Sequence, residues 1–217
     1  TNTAGDLRVG SGSEIVTAVK TRREMIVLTD TSVFSMQFIG PPFTFGISQL
    51  ASNITVRGFN GAVAVGDAVF WMGYDRFYIY DGRVQVLPCS VRDHVFQDFN
   101  ETQSDKVYAG VNSAFGEVFW FYPSQTNALS NSGTGENDKY VVYNYDQKIW
   151  YVGSLARSSW IDRGVYQYPM ATDSNLVYNH EKGNDNDGTA FTSFIESSPI
   201  DVQDGDQFVF LRRMIPD

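Results

Sequence analysis

Cysteine is nearly missing from this chain. Cys89, in "LPCS", is the only one among 217 residues, so no internal disulfide braces the fold, and with no His or Cys motif beside it the thiol reads as a buried, inert side chain. Histidine is almost as scarce: His94 and His180 have no partner at metal-ligand spacing, and neither H-E-x-x-H nor C-x-x-C occurs, so the sequence offers no zinc site and no Ser-His-Asp arrangement. Cations are outnumbered, 16 Lys and Arg against 25 Asp and Glu, for a net charge of −9. That balance argues against a duplex-binding module, whose affinity would come from neutralised phosphates. No apolar run approaches the roughly 18 residues of a membrane span, and "TNTAGDLRVG" carries no signal-peptide pattern. The chain starts without Met and stops in "FVFLRRMIPD", which reads as an excerpt of a longer polypeptide.

Helical spacing is also nearly absent, and what remains is a succession of short aromatic and β-branched runs between turn residues. Strands are predicted at 14–19, 24–29, 32–38, 61–65, 68–73, 76–80, 83–87, 106–111, 116–122, 139–145, 148–152, 175–180, 189–195 and 206–211. Only 90–99, "SVRDHVFQDF", spaces Val91, Val95 and Phe99 four apart, which predicts one short helix. Certain strand pairs share a grammar of apolar strand, tight polar turn and second aromatic strand: "MIVLTDTSVFSMQF", "AVFWMGYDRFYIYDGRVQVL" and "EVFWFYPS…KYVVYNYDQKIWYV", with "LVYNHEKG" a worn fourth copy. Aligned on Val27, Val69 and Val118, the copies are 42 and 49 residues apart. Periods in the forties with several strands per repeat predict an all-β chain forming part of a β-propeller, with about four to five blades and one short helix.

"GDAVFWMGYDRFYIYDGRVQV" (66–86) is crowded enough with aromatic rings to pose the question of a ligand platform. In a propeller the middle strands are covered on both faces and lose their polar alternation, so "VFWM" and "VFWF" read as core. Asp81-Gly82 supplies the hairpin turn, and "YDQK" (145–148) is its counterpart in the next repeat. Two polar segments interrupt the rhythm: 123–138, "PSQTNALSNSGTGEND", predicted to be a flexible insertion loop, and 181–188, "EKGNDNDG".

The search for chemistry finds fragments. His180 beside Glu181 suggests an acid/base pair, but neighbours on a strand point to opposite faces, which favours a turn. Asp185, Asp187 and Gly188 resemble half of a calcium loop, yet Gly183 and Phe194 stand where oxygen ligands belong. No spacing selects a carboxylate pair, the sialidase repeat S-x-D-x-G-x-x-W is missing, and the triplets "NIT" (53–55) and "NET" (100–102) lack a secretory context. The reading therefore assigns no catalytic, cofactor-binding or metal residues and no cofactor.

Taken as an ordered set, "GPPFTFGISQL" (40–50), residues 62–100 from "AVAVGDAVFWM" to "VFQDFN", "GEVFWFYPS" (116–124), "YVVYNYDQKIWYVG" (140–153) and "FVFLRRMIPD" (208–217) resemble the tail hub or nozzle proteins of short-tailed bacteriophages, also called packaged-DNA stabilisation proteins. The resemblance implies a propeller-containing, non-enzymatic virion protein made in the host cytoplasm. It would assemble as a ring, usually of six, with an adaptor ring above and fibres or a plug below. Its role would be to retain the packaged genome and conduct it outward in transient contact. Family members are longer, so the whole chain 1–217 would be part of a propeller domain. Two other readings remain at the sequence level: a glycan-binding or glycan-cleaving propeller, in which several of Trp71, Trp120, Trp150 and Trp160 would be exposed around one pocket, and a scaffold propeller that binds peptides.

Overall fold

Among the described residues, the strands within each sheet are consecutive in sequence, so each sheet is built from pairs of sequence neighbours. The computed structural model describes residues 8–10, 12, 14–186 and 188–190. The chain divides into two units, Thr1–Glu181 and Lys182–Asp217. In the first unit, sheet I is the meander β1 (Ile15–Lys20), β2 (Met25–Thr29), β3 (Ser32–Gly40) and β4 (Thr44–Ser52). Sheet II follows with β5 (Ala62–Val65), β6 (Ala68–Met72), β7 (Phe77–Tyr80) and β8 (Val84–Leu87). After helix α1 (Arg92–Gln97) and a 3-10 segment (Glu101–Lys106) comes sheet III, β9 (Tyr108–Asn112), β10 (Glu117–Tyr122), β11 (Lys139–Asn144) and β12 (Ile149–Ser154). Sheet IV has three strands, β13 (Ser159–Ile161), β14 (Met170–Asp173) and β15 (Leu176–Asn179). Within the second unit the described residues form one hairpin, β16 (Asp185–Asn186) with β17 (Thr189–Ala190). The strands predicted at 189–195, beyond Ala190, and at 206–211 lie outside the described residues.

The all-β expectation is met, and the short helix falls where Val91, Val95 and Phe99 predict it, with Val95 and Phe99 buried. The propeller expectation is met only at this coarser level: the sheets form an open series of antiparallel meanders, and none curls or closes on itself. Each sheet packs on the next through its middle strands. Along β6, Val69 and Trp71 turn to the sheet I core with Ile26, Leu28 and Val33, whereas Phe70 and Met72 turn to the sheet III core with Val118, Trp120 and Tyr122. Strand β10 repeats the division, because Phe119 and Phe121 face sheet IV and meet Trp160. A strand buried on both faces has no polar side to alternate with, which is why these two strands read as unbroken apolar runs. Burying each large aromatic contributes about 2–3 kcal/mol.

Indole groups stitch the series together. Trp120 Nε1 donates to the Gly61 carbonyl at 3.1 Å, Trp150 Nε1 to the Pro88 carbonyl at 2.8 Å, and Trp160 Nε1 to the Val111 carbonyl at 2.8 Å, each reaching the preceding sheet or a residue that borders it. Trp71 stacks on Tyr78 within sheet II at 5.4 Å. The close approach of Trp160 depends on Gly110, where a Cβ would lie 2.5 Å from the indole Cδ1. A buried Arg57 ties sheet II to the helical segment: Nε donates to the Gly73 carbonyl at 3.1 Å, Nη2 to Glu101 Oε1 at 2.7 Å, and the guanidinium lies 4.1 Å from the Phe99 ring centroid.

The insertion at 123–138 is held by identifiable contacts. Leu129 is exposed while Ala128 is buried, and the loop has polar anchors as well. Asp138 accepts from the Ser124 amide at 2.8 Å and from its hydroxyl at 2.7 Å, and Ser124 is fully buried. Asn127 accepts from Thr134 N and donates to the Glu136 carbonyl, both at 3.0 Å, and Asn137 donates to the carbonyls of Lys106 and Arg157. Amide side chains thus close the loop on itself, a form of Asx chemistry that composition alone reads as disorder.

Candidate functional site

Two concavities of the first unit carry the candidate chemistry. The larger, about 680 Å³, is lined by the first strand of every sheet: Thr17–Lys20 of β1, Ala62–Val65 of β5, Tyr108–Val111 of β9 and Trp160–Ile161 of β13. Its wall is neutral apart from Lys20 and Asp162 and includes the small residues Ala62, Ala64, Ala109 and Gly110. Such a wall offers shape and backbone groups, with little charge to fix a ligand.

The smaller, about 350 Å³, lies between sheets III and IV and holds the titratable groups. Glu117 on β10 and Tyr151 on β12 meet across β11, because Glu117 pairs with Asn144 and Tyr151 with Val142. The Tyr151 hydroxyl donates to Glu117 Oε1 in a short hydrogen bond. Burial pushes the Glu117 carboxyl up, against the Tyr151 hydrogen bond and with help from the nearby Glu181 charge. Burial, then the hydrogen bond to Glu117 and its charge, hold the Tyr151 phenol well above its usual range. Phe115, Phe119, Tyr140 and Trp160 complete the wall.

His180 and Glu181 both line this cavity from a turn, as the sequence favours. Strand β15 ends at Asn179 and Glu181 adopts φ 56°, so the alternation of a strand no longer applies. The acid/base pairing still fails, for a different reason. Arg157 Nε donates to His180 Nε2 at 2.9 Å, the ring lies 4.8 Å from Trp160, and burial with the Arg157 charge lowers the imidazole to about 4. The ring is a neutral acceptor at pH 7. Glu181 instead accepts from Asn112 Nδ2 at 3.3 Å. The pocket can therefore accept hydrogen bonds at Glu117 and Glu181 beside an aromatic wall. No sequence pattern links Glu117 to Tyr151, because strand pairing across an intervening strand is what joins them.

The remaining sequence candidates fall elsewhere. His94 is exposed on α1. Cys89 is half-buried, and burial pushes its thiol up to about 11, so it stays protonated at neutral pH. Asp185 accepts from the Gly188 amide at 3.1 Å in the hairpin of the second unit, and Asp187 lies outside the described residues. Among the described residues no group of three or more His, Cys, Asp or Glu is placed to hold a metal ion. None of their helices is long and apolar enough to cross a membrane. Trp71 and Trp120 are fully buried and Trp160 nearly so, which removes three of the four indoles a sugar platform would expose.

No protein-family model matches the sequence, and no curated protein does. Among solved structures, the fold is similar to the extracellular domain of a putative one-component system from B. thetaiotaomicron, with a TM-score of 0.51 and 9% identity over 89% of this chain and 24% of that one. This chain thus spans about a quarter of that structure's length, and at such identity the likeness concerns the fold alone. A plant lectin with two metal-binding sites from Cicer arietinum aligns at a TM-score of 0.34 and 10% identity, over 80% of this chain and 91% of that one, too low to carry an argument.

Proposed function

We propose that this chain is the blade-forming part of a β-propeller in a structural tail protein of a short-tailed phage. It acts as a hub or nozzle subunit, passes DNA in transient contact and catalyses nothing. The observation that carries the reading is the succession of meanders whose first strands share one cavity. Propeller blades are arranged in this way, and the ordered segments that resemble the tail family fall largely on those sheets. The acidic balance agrees with a conduit, because each phosphate contact on the wall would brake a sliding polyanion.

The conduit itself belongs to the assembly. A cavity of about 680 Å³ is far too small for a duplex whose major groove alone is about 12 Å wide. Copies of the subunit, in a ring of about six by the family resemblance, would surround the DNA from outside their blades, with the adaptor ring and the fibres or plug at either end. In the virion, such a ring needs stable self-association more than an active site. Electron microscopy of the full-length protein tests this: closed rings with an axial opening wide enough for a duplex are expected. A strictly monomeric protein that binds duplex DNA with sub-micromolar affinity, or one that hydrolyses a surface glycan, overturns it.

A further inference from the structure

Sheet I ends in a projection that neither cavity uses. The last residue of β2, counted toward this end, is Met25, which pairs with Met36, and β3 runs on to Gly40 before β4 returns from Thr44. Four further residues carry the hairpin about 13 Å past that pair. Its tip is apolar on both faces. Phe38 and Phe45 meet edge to face at 5.8 Å on one face, Ile39 packs over Gly46 on the other, and Phe43 caps the turn. All four large side chains are open to solvent, Phe38 at 69% and Phe43 at 75% exposure. From Thr31 to Val56, 26 residues carry no charge at all, in a chain of net −9.

The turn between β1 and β2 lies at this same end, because Lys20 pairs with Met25. It presents Lys20, Arg22 and Arg23, all exposed. Arg23 reaches Asp67 at 3.5 Å, and among the described residues Lys20 and Arg22 form no ion pair. The one carboxylate of the turn, Glu24, is occupied by hydrogen bonds from Ser35, Gln37 and Tyr80.

The geometry points to a lipid-surface docking element: the Phe38–Phe45 tip enters an anionic membrane, and Lys20, Arg22 and Arg23 pair with its headgroups. A flat protein interface covers one face of a hairpin, but this tip has apolar side chains on both faces and at its end, and needs surroundings that envelop it. A cationic shoulder behind a neutral apolar tip matches the layering of an anionic bilayer surface, from headgroup phosphate to acyl chain. Among the described residues the outer edge of β4 has no strand partner, and its backbone polar groups hold the tip at the headgroup–acyl boundary and out of the hydrocarbon core. This inference does not depend on the tail assignment.

Co-sedimentation of the full chain with phosphatidylcholine vesicles containing about one third phosphatidylglycerol tests it. Binding to these vesicles and much weaker binding to pure phosphatidylcholine are expected. Phe43→Ser and Phe38→Ser should each lower partitioning roughly tenfold, and the Lys20→Glu/Arg22→Glu pair should abolish the preference for anionic lipid. The side chains are exposed, so unfolding midpoints should not move. Phe43→Trp should show a blue-shifted indole emission when anionic vesicles are added. Absence of binding, or equal binding of wild type and Phe43→Ser, overturns the proposal. So does a wild-type oligomer that Phe43→Ser dissociates by light scattering, since that makes the occupant a protein socket.

Discussion

Trp120 tests whether the aromatic side chains of this chain build its core or a binding surface. The side chain is fully buried between sheets II and III, its ring centroid 4.8 Å from Phe77 and 6.0 Å from Trp150. Trp120→Ala leaves a cavity that neighbours in three strands cannot fill without moving, and should cost about 3–5 kcal/mol. Trp120→Phe keeps most of the volume and loses the indole N–H. The acceptor left behind is not orphaned, because the Gly61 carbonyl also accepts from the Met72 amide at 3.1 Å. That substitution should therefore cost only about 1–2 kcal/mol. Urea unfolding followed by far-ultraviolet circular dichroism gives both values from midpoints at a common slope. Equal losses for the two variants, or a Trp120→Ala midpoint unchanged from wild type, would refute the assignment of this ring to the core.

The loop and the imidazole give two further tests. Asp138→Ala leaves the buried Ser124 amide without its acceptor and should cost about 1–3 kcal/mol, with new protease cleavage within 125–136; an unchanged digestion pattern would mean that the loop is held by something else. His180 has a folded-state value of about 4 against an ordinary 6.5, so the unfolded chain takes up a proton first as the pH falls. The stability held by the neutral ring is complete above about pH 6.5 and is lost progressively toward pH 4. Discounted for partial exposure it amounts to roughly 1–2 kcal/mol. His180→Gln should flatten the stability profile between pH 6.5 and 5, and identical profiles for the two proteins would exclude the ring as its source.

Among the strands that the sequence makes legible, the middle ones owe it to burial, which dictates their composition. β2, β6, β7, β10 and β11 are middle strands, and their apolar runs follow from having a neighbour on each face. β4 escapes because "TFGISQLAS" is an edge strand that mixes exposed apolar, small and polar groups, so neither alternation nor a buried run marks it. β13 and β14 escape because three and four residues, "SWI" and "MATD", are too few to carry a period. The aromatic stretch at 66–86 was legible as core by the same logic. The acidic pocket was not, since Glu117 and Tyr151 become neighbours only through β11, and His180 and Glu181 only through a backbone turn after β15. Polar anchoring of the 123–138 loop was hidden for a related reason: Ser, Asn and Asp are the residues of both disorder and Asx-type loops, and only their partners distinguish the two.

Side-chain volume differs between the first and second strands of sheets II and III. In sheet II the first strand is "AVAV" and the second "AVFWM"; in sheet III "YAGVN" precedes "EVFWFY". The small residues of those two first strands leave room for a neighbour's ring, as Gly110 does for Trp160, whereas the aromatic second strands carry the cores between sheets. The shared cavity is lined by these first strands, β5 and β9, together with β1 and β13. The aromatic residues thus build the contacts between sheets, and any function is left to what surrounds them: the neutral wall of the shared cavity, the acidic pocket between sheets III and IV, and the exposed end of sheet I.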